Sequence, residues 1–165
     1  MATETLEEQL VKHIDEAVAM ENMVLRMLDT LIETTEYAEL RDGFRLHKQQ
    51  TEEQIERLRA RLEAHDAEPS MVREIGGITS ALMKSVVDAV RGEKAARNAR
   101  DAYATEHLEI ASYHLLERVA LRAGDEATAE VARQNRSEEE EMARRIDQNW
   151  DRVVDIALVE AGVTA

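Results

Sequence analysis

Apolar residues recur along most of this chain at alternating spacings of three and four, the signature of one buried helix face. From about Thr5 to Ile32 the row runs Leu10, Ile14, Ala17, Val24, Leu28 and Leu31, and the place it skips is held by Glu21. A turn at Thr34-Thr35-Glu36 leads into a second helix from about Tyr37 to Ala64. Its face reads Leu40, Phe44, His47, Thr51, Gln54 and Leu58, polar in the middle. Pro69 then ends helical geometry, because it has no amide hydrogen and disfavours the helical region at Glu68. Ile75, Ile78, Leu82, Val86 and Val90 mark a shorter helix over about 71–91, weakened at its start by Gly76-Gly77. Beyond Gly92 a long helix is predicted from about Glu93 to Ala123, stopped by Gly124 as a C-terminal cap. Its stripe is Ala99, Ala102, Glu106, Glu109, Tyr113, Leu116 and Ala120. The last helix is predicted from about Asp125 to Ala161 on Ala132, Asn135, Glu139, Met142, Ile146, Asn149, Val153 and Ile156.

Counting outward from the two turns sets Glu21 level with residues 47 to 51, and Glu109 level with Glu139. Two antiparallel hairpins would therefore carry polar side chains to the same depth. The expected architecture is all-α, one domain over 1–165: hairpin one over about 5–64, a connecting helix over about 71–91 and hairpin two over about 93–161. Two long hairpins joined by an extended middle segment match the crossover topology of a ferritin-like four-helix bundle better than an up-down-up-down one.

Composition narrows the chemistry. A chain of 165 residues can bury a continuous core without a staple, so a metal, if bound, is there for function. The absence of cysteine removes disulfides, thiolate zinc sites, iron–sulfur clusters and thiol nucleophiles. With 35 acidic residues against 21 basic ones and a formal charge of −14, nucleic acid is not an expected partner. The acidic start lacks a secretory pattern, and no stretch approaches the ~18 apolar residues of a membrane span. The expectation is a soluble, cytoplasmic protein with no membrane partner.

Four carboxylates and one imidazole fall on the inward stripes at matching levels: Glu21, His47, Glu106, Glu109 and Glu139. Burying isolated carboxylates is costly, and these stripes offer no Lys or Arg, so protonation or bound cations must compensate. Oxygen-rich ligands with one imidazole suit iron or manganese. The plain alternative is a stripe drawn one residue out of phase. Rotating the third long helix toward Leu108, Ala111 and Leu115, for example, would turn Glu106 and Glu109 to solvent. His107 and His114 lie beside the stripe, where contacts just outside the site or with another subunit are expected. Tyr113 reads first as a core tyrosine, with a hydrogen bond to a site carboxylate or electron transfer as the functional alternatives. Met20, Met23 and Met27 read as adaptable packing or a dimer surface. In the run Glu138-Glu139-Glu140-Glu141 only Glu139 is expected to point inward. A phosphate loop, a Gly-x-Ser-x-Gly elbow and a His-Glu-x-x-His pair are all absent.

The segment Glu106-His107-Leu108-Glu109-Ile110-Ala111-Ser112-Tyr113 resembles the Glu-His-Tyr-Glu-Ile-Ala-x-Tyr signature of the ferritin-like YciE/YciF group. Residues 47–58, from His47 to Leu58, look like that group's second-helix segment, and Ser137-Glu138-Glu139-Glu140 falls at its last-helix acidic pair. The resemblance implies a ferritin-like bundle, commonly dimeric, linked to stress responses and holding a proposed dinuclear metal centre. Three departures stand out. Leu108 replaces the signature tyrosine, Gln50 and Gln54 stand where Glu or His occur in the group, and Met142 occupies the position three after Glu139 where a histidine would complete Glu-x-x-His.

Two functions follow as expectations. The first is a homodimeric protein with two iron or manganese ions, handling peroxide, oxygen or iron in stress response as a peroxidase-, catalase- or ferroxidase-like oxidoreductase. Glu106 or Glu109 would bridge, Glu21 and Glu139 would be terminal ligands, and His47 the nitrogen ligand. The second is a metal-free helical stress or interaction protein with a polar core network and a Met-rich face for a partner.

Overall fold

The computed structural model describes residues 4–70 and 94–163, and among these all regular structure is helical. The connecting helix expected over about 71–91 lies outside the described residues.

Helix α1 (Leu6–Thr34) starts at a capping box: the Glu8 amide donates to Thr5 Oγ1 at 3.1 Å while the Thr5 amide donates to Glu8 Oε2 at 2.7 Å. Helix α2 (Ala38–Ala64) closes through Ala67 N to Leu62 O at 3.0 Å and Asp66 N to Glu63 O at 3.0 Å. Asp66 takes the left-handed conformation, φ 52°, that this closure requires. Helix α3 (Lys94–Ala123) ends the same way on Gly124, φ 77°, with Asp125 N donating to Ala120 O at 3.0 Å. Glycine adopts that conformation without the steric cost Asp66 carries. Asp125 then caps helix α4 (Glu126–Asp147) by accepting from the Thr128 amide.

The long final helix expected over 125–161 is two helices, α4 and α5 (Trp150–Glu160), parted at Gln148 and Asn149. The Asn149 side chain donates back to Arg145 O at 2.7 Å, an alternative to the helical ladder that favours a break at this residue.

Helix α1 packs on α2 and α3, and α4 packs on α3 and α2, so the four long helices stand in a square. Contacts such as Gln54 with Glu139 and Arg61 with Asp125 run α2 against α4 antiparallel, as Glu21 with Tyr113 and Met27 with Thr105 do for α1 against α3. One apolar cluster fills the Gly124 end, with Leu10, Ile14, Leu58, Leu62, Leu116 and the small Ala120, Ala129 and Ala132 that let α3 and α4 approach closely. A second, around Val24, Leu28, Leu31 and Phe44, fills the opposite end. Each fully buried leucine contributes about 2 kcal/mol by leaving water. Met20 and Met27 belong to these clusters and Met23 is half-buried, so the three methionines pack the core rather than form an open face.

Candidate metal centre

Between the two clusters the core turns polar. Helix α2 supplies His47, α3 supplies Glu106 and Glu109 from one face at a spacing of three, and α4 supplies Glu139. Each of these four offers a ligand atom, and the four atoms lie within 4.8 Å of one another. His47 reaches across the diagonal of the square: its Nε2 is 3.2 Å from Glu106 Oε1 and 3.7 Å from Glu139 Oε2, aligned for a hydrogen bond with neither. Glu21, on α1, flanks the group. One of its oxygens accepts from the Tyr113 hydroxyl and the other has no partner. All five residues are at most 2% exposed.

The unusual feature is how much of this layer is left unserved. Glu21 Oε2, Glu106 Oε2, both Glu109 oxygens, Glu139 Oε2, both His47 ring nitrogens and Gln54 Oε1 are buried without a hydrogen-bond partner. Native cores seldom bury polar atoms in that state, and His47, Glu106, Glu109 and Glu139 each bring a ligand atom within 4.8 Å of the others, a donor set that could hold a cation. Electrostatics agree. Desolvation, partly offset by the Tyr113 hydrogen bond, pushes the Glu21 carboxyl up to about 7. Desolvation and the charges of Glu106 and Glu21 push Glu139 up to about 11. Glu109 is raised well above the carboxylate range by desolvation and by the charges of Glu21, Glu139 and Glu106. Burial works to lower the His47 imidazole, but the charges of Glu106 and Glu21 prevail and raise it. A bound cation would relieve both the desolvation and the mutual repulsion.

Side chains other than the five candidate ligands complete the layer. Gln54, read as a departure from the family pattern, donates to Glu139 Oε1 and to Glu138 Oε2. Asn135 donates to the Tyr113 hydroxyl at 2.9 Å, extending the line toward Glu21. Arg57 enters from beside the stripe to bond Asn135 Oδ1 at 2.8 Å and to pair with Glu138, so Glu138 is half-buried rather than on the solvated face. The helical period placed Gln54 and Asn135 on the inward faces, but no spacing rule announces Arg57. His107 and His114 are both exposed and away from the centre: His107 stands edge-on to Tyr103 at 4.6 Å, and His114 Nδ1 lies 3.1 Å from Arg136 Nη1. Contacts just outside the site are thereby excluded for them, because α3 turns both imidazoles away from its buried face.

The model of the family described as Domain of unknown function (DUF892) matches residues 5–159. Among curated proteins nothing matches. A crystal structure of a protein from Xanthomonas campestris pv. campestris is similar at 27% identity and TM-score 0.81, covering 96% of this chain and 100% of that one. The E. coli stress protein YciF is similar at 22% identity and TM-score 0.82, covering 93% and 99%. A ferritin-like, diiron-carboxylate protein from Bacillus anthracis is similar at 12% identity and TM-score 0.72, covering 88% and 98%. These likenesses carry the fold, which is the ferritin-like bundle expected from the two hairpins, and they agree with the YciF-group resemblance of the sequence.

Proposed function

This chain belongs to the family described as Domain of unknown function (DUF892), and from that premise we propose that it is a carboxylate-rich dinuclear metal protein that handles peroxide or oxygen in stress response. One observation carries the reading: four residues from three helices aim buried, unpartnered ligand atoms at one point. The diiron-carboxylate relative and the stress protein among the structural neighbours point the same way. Glu106 or Glu109 would bridge two ions, with Glu139 and the free oxygen of Glu21 as terminal ligands and His47 as the nitrogen donor. Iron or manganese held there would supply redox chemistry toward peroxide or oxygen. The chain's own contribution is to exclude water with the two apolar clusters, to hold Glu139 through Gln54, and to hold Glu21 through Tyr113. The reading includes a cytoplasmic homodimer, for which exposed Leu158, Val159 and Val163 at the C-terminal end offer apolar surface.

The rival is a metal-free polar core. The hydrogen bonds from Tyr113 to Glu21 and from Gln54 to Glu139 favour it, but they leave both Glu109 oxygens unserved. Elemental analysis of protein purified without chelators decides between the two. Near-stoichiometric iron or manganese is expected, and less than about one tenth of an equivalent that reconstitution fails to raise would sink the metal reading.

A further inference from the structure

A cavity of about 510 Å³ opens at the end of the bundle where α1 turns into α2, walled by α2, α3, α4 and α5. That volume falls among small-molecule sites, roughly 300 to 1,000 Å³. Its lining includes Phe44, Ala102 and Met142, which stand three, four and three residues from His47, Glu106 and Glu139 on the same helices. The chamber therefore reaches to within about one helical turn, ~5 to 6 Å, of the candidate metal centre. Further up, Ile146, Val153 and Ile156 keep the walls apolar.

Among the polar residues of this lining Asn98 is buried, whereas Thr34, Glu36, Glu39, Arg145, Asn149, Arg152 and Glu160 are exposed toward the mouth. Asn98 is only 8% exposed, and among the described residues its carboxamide has no hydrogen-bond partner. Its amide faces the chamber, where the hydrogen-bonding head of a ligand can take the place of water. An amide offers one donor group and one acceptor side by side, as a hydroxyl does in return. Charge does not compete for the role. Arg152 and Arg145, the latter held by Glu141 at 3.1 Å, stand exposed on the lining against Glu36, Glu39 and Glu160, so no unbalanced buried charge waits for an ion. Bringing an ionised head beside Asn98 would strip its water without supplying a counter-charge.

We propose that this chamber binds a neutral molecule with an aliphatic body and an O–H head, an alcohol or an organic hydroperoxide. Asn98 exchanges hydrogen bonds with the head, and Phe44, Met142 and Ile146 pack on the body. Resting on the metal reading, the chamber makes organic hydroperoxides, rather than hydrogen peroxide alone, the substrate class of the neighbouring centre. The binding itself rests only on the cavity and Asn98.

The test uses metal-free full-length protein with ¹³C-methyl methionine, titrated with octan-1-ol and, separately, sodium octanoate at neutral pH. Octan-1-ol should move the Met142 resonance saturably and leave Met20, in the opposite apolar cluster, unchanged. Asn98→Leu should weaken octan-1-ol binding about ten-fold, the loss of one hydrogen bond. Ala99→Leu, which fills the chamber, should abolish it, and circular dichroism should show both variants as helical as the parent. Non-saturable shifts, equal shifts at all methionines, an Asn98→Leu variant that binds as well as the parent, or octanoate binding as tightly as octan-1-ol would overturn the proposal. Metal content measured on the same preparations keeps the two ideas apart. Octan-1-ol binding in a protein that takes up no iron or manganese upholds the chamber and removes the metal reading, whereas metal uptake without octan-1-ol binding does the reverse.

Discussion

Asp125 and Glu109 are both carboxylates largely withdrawn from water, and their surroundings treat them in opposite ways. Asp125 sits at the α3–α4 turn with the Thr128 amide and hydroxyl, the Arg61 guanidinium at 3.1 Å and His65 Nε2 at 2.8 Å around it. Although desolvation works to raise it, the hydrogen bonds from Thr128, His65 and Arg61 hold it well below the usual carboxylate range. Glu109, in mid-core, has neither a hydrogen bond nor a cation at either oxygen, and desolvation with three neighbouring carboxylates drives it upward. The fold thus knows how to serve a buried carboxylate and leaves a cluster of them unserved at one place. That contrast is what supports the metal reading proposed for the unserved place.

Removing the two carboxylates should accordingly change stability with opposite signs. Asp125→Ala loses a helix cap and strands Arg61 and His65, so urea unfolding should report a loss of about 3 kcal/mol. Equal stability to the parent would mean the network is idle. Adding Mn²⁺ or Fe²⁺ to metal-free protein at a hundredfold excess over Kd should stabilise it by about 2.7 kcal/mol. Calorimetry should then show a rise in Tm of about 5 to 10 °C. Glu109→Ala should abolish that rise, and Glu140→Ala, on the exposed side of α4, should keep it. If both variants lose it alike, the inward face has been misassigned.

Smaller in size, but sharper for the comparison, is Glu109→Leu in metal-free protein at neutral pH. Replacing a buried carboxyl that has no hydrogen-bond partner by an apolar side chain should stabilise by about 2 kcal/mol, the reverse of Asp125→Ala. A destabilised variant would show that Glu109 is satisfied in the metal-free fold. The pH dependence should split the same way. Glu21 is raised from 4.5 to about 7, so its contribution is full below pH 4.5 and is lost as pH climbs through 7 in metal-free protein. Asp125 is depressed, so its contribution is present above the unfolded value near ~3.9 and is lost as pH falls toward its folded value. Stability of metal-free protein should therefore fall between pH 5 and 7, and Asp125→Ala should remove only part of the acid-side loss. Bound metal should reverse the slope between pH 5 and 7, because ligands that titrate against protons hold metal better as pH rises. The smallest effect concerns Asp66. Asp66→Gly relieves a left-handed non-glycine residue and should add about 0.5 kcal/mol, measured as a modest rise in the urea midpoint.

Much of the buried polar layer is legible in the sequence. Glu21 in the skipped position of the first stripe, the three-residue step from Glu106 to Glu109, and Glu139 within its acidic run are all buried as the helical period requires. The two-helix ending of the chain was not legible. Its apolar row continues to Ile156 across the break, so periodicity alone sees one helix, and the competing bond from Asn149 to Arg145 O is invisible to a count of apolar positions. Nor could it be read that Arg57 slants in from a flank to bond Asn135.

What the sequence determined by itself is the set of features that depend on residues within a turn or two of one another. These are the cap at Gly124, the extent of the first three long helices, the face each one buries, and the depth of the polar layer. Counting from a hairpin turn fixes how far along the axis a side chain lies, but not which neighbour it faces around that axis. Only the packing of the four long helices into a square decided that His47 reaches across the diagonal to Glu106. The same packing gave one Glu21 oxygen to Tyr113 and left the chamber beside Asn98, since such contacts join helices far apart in the chain.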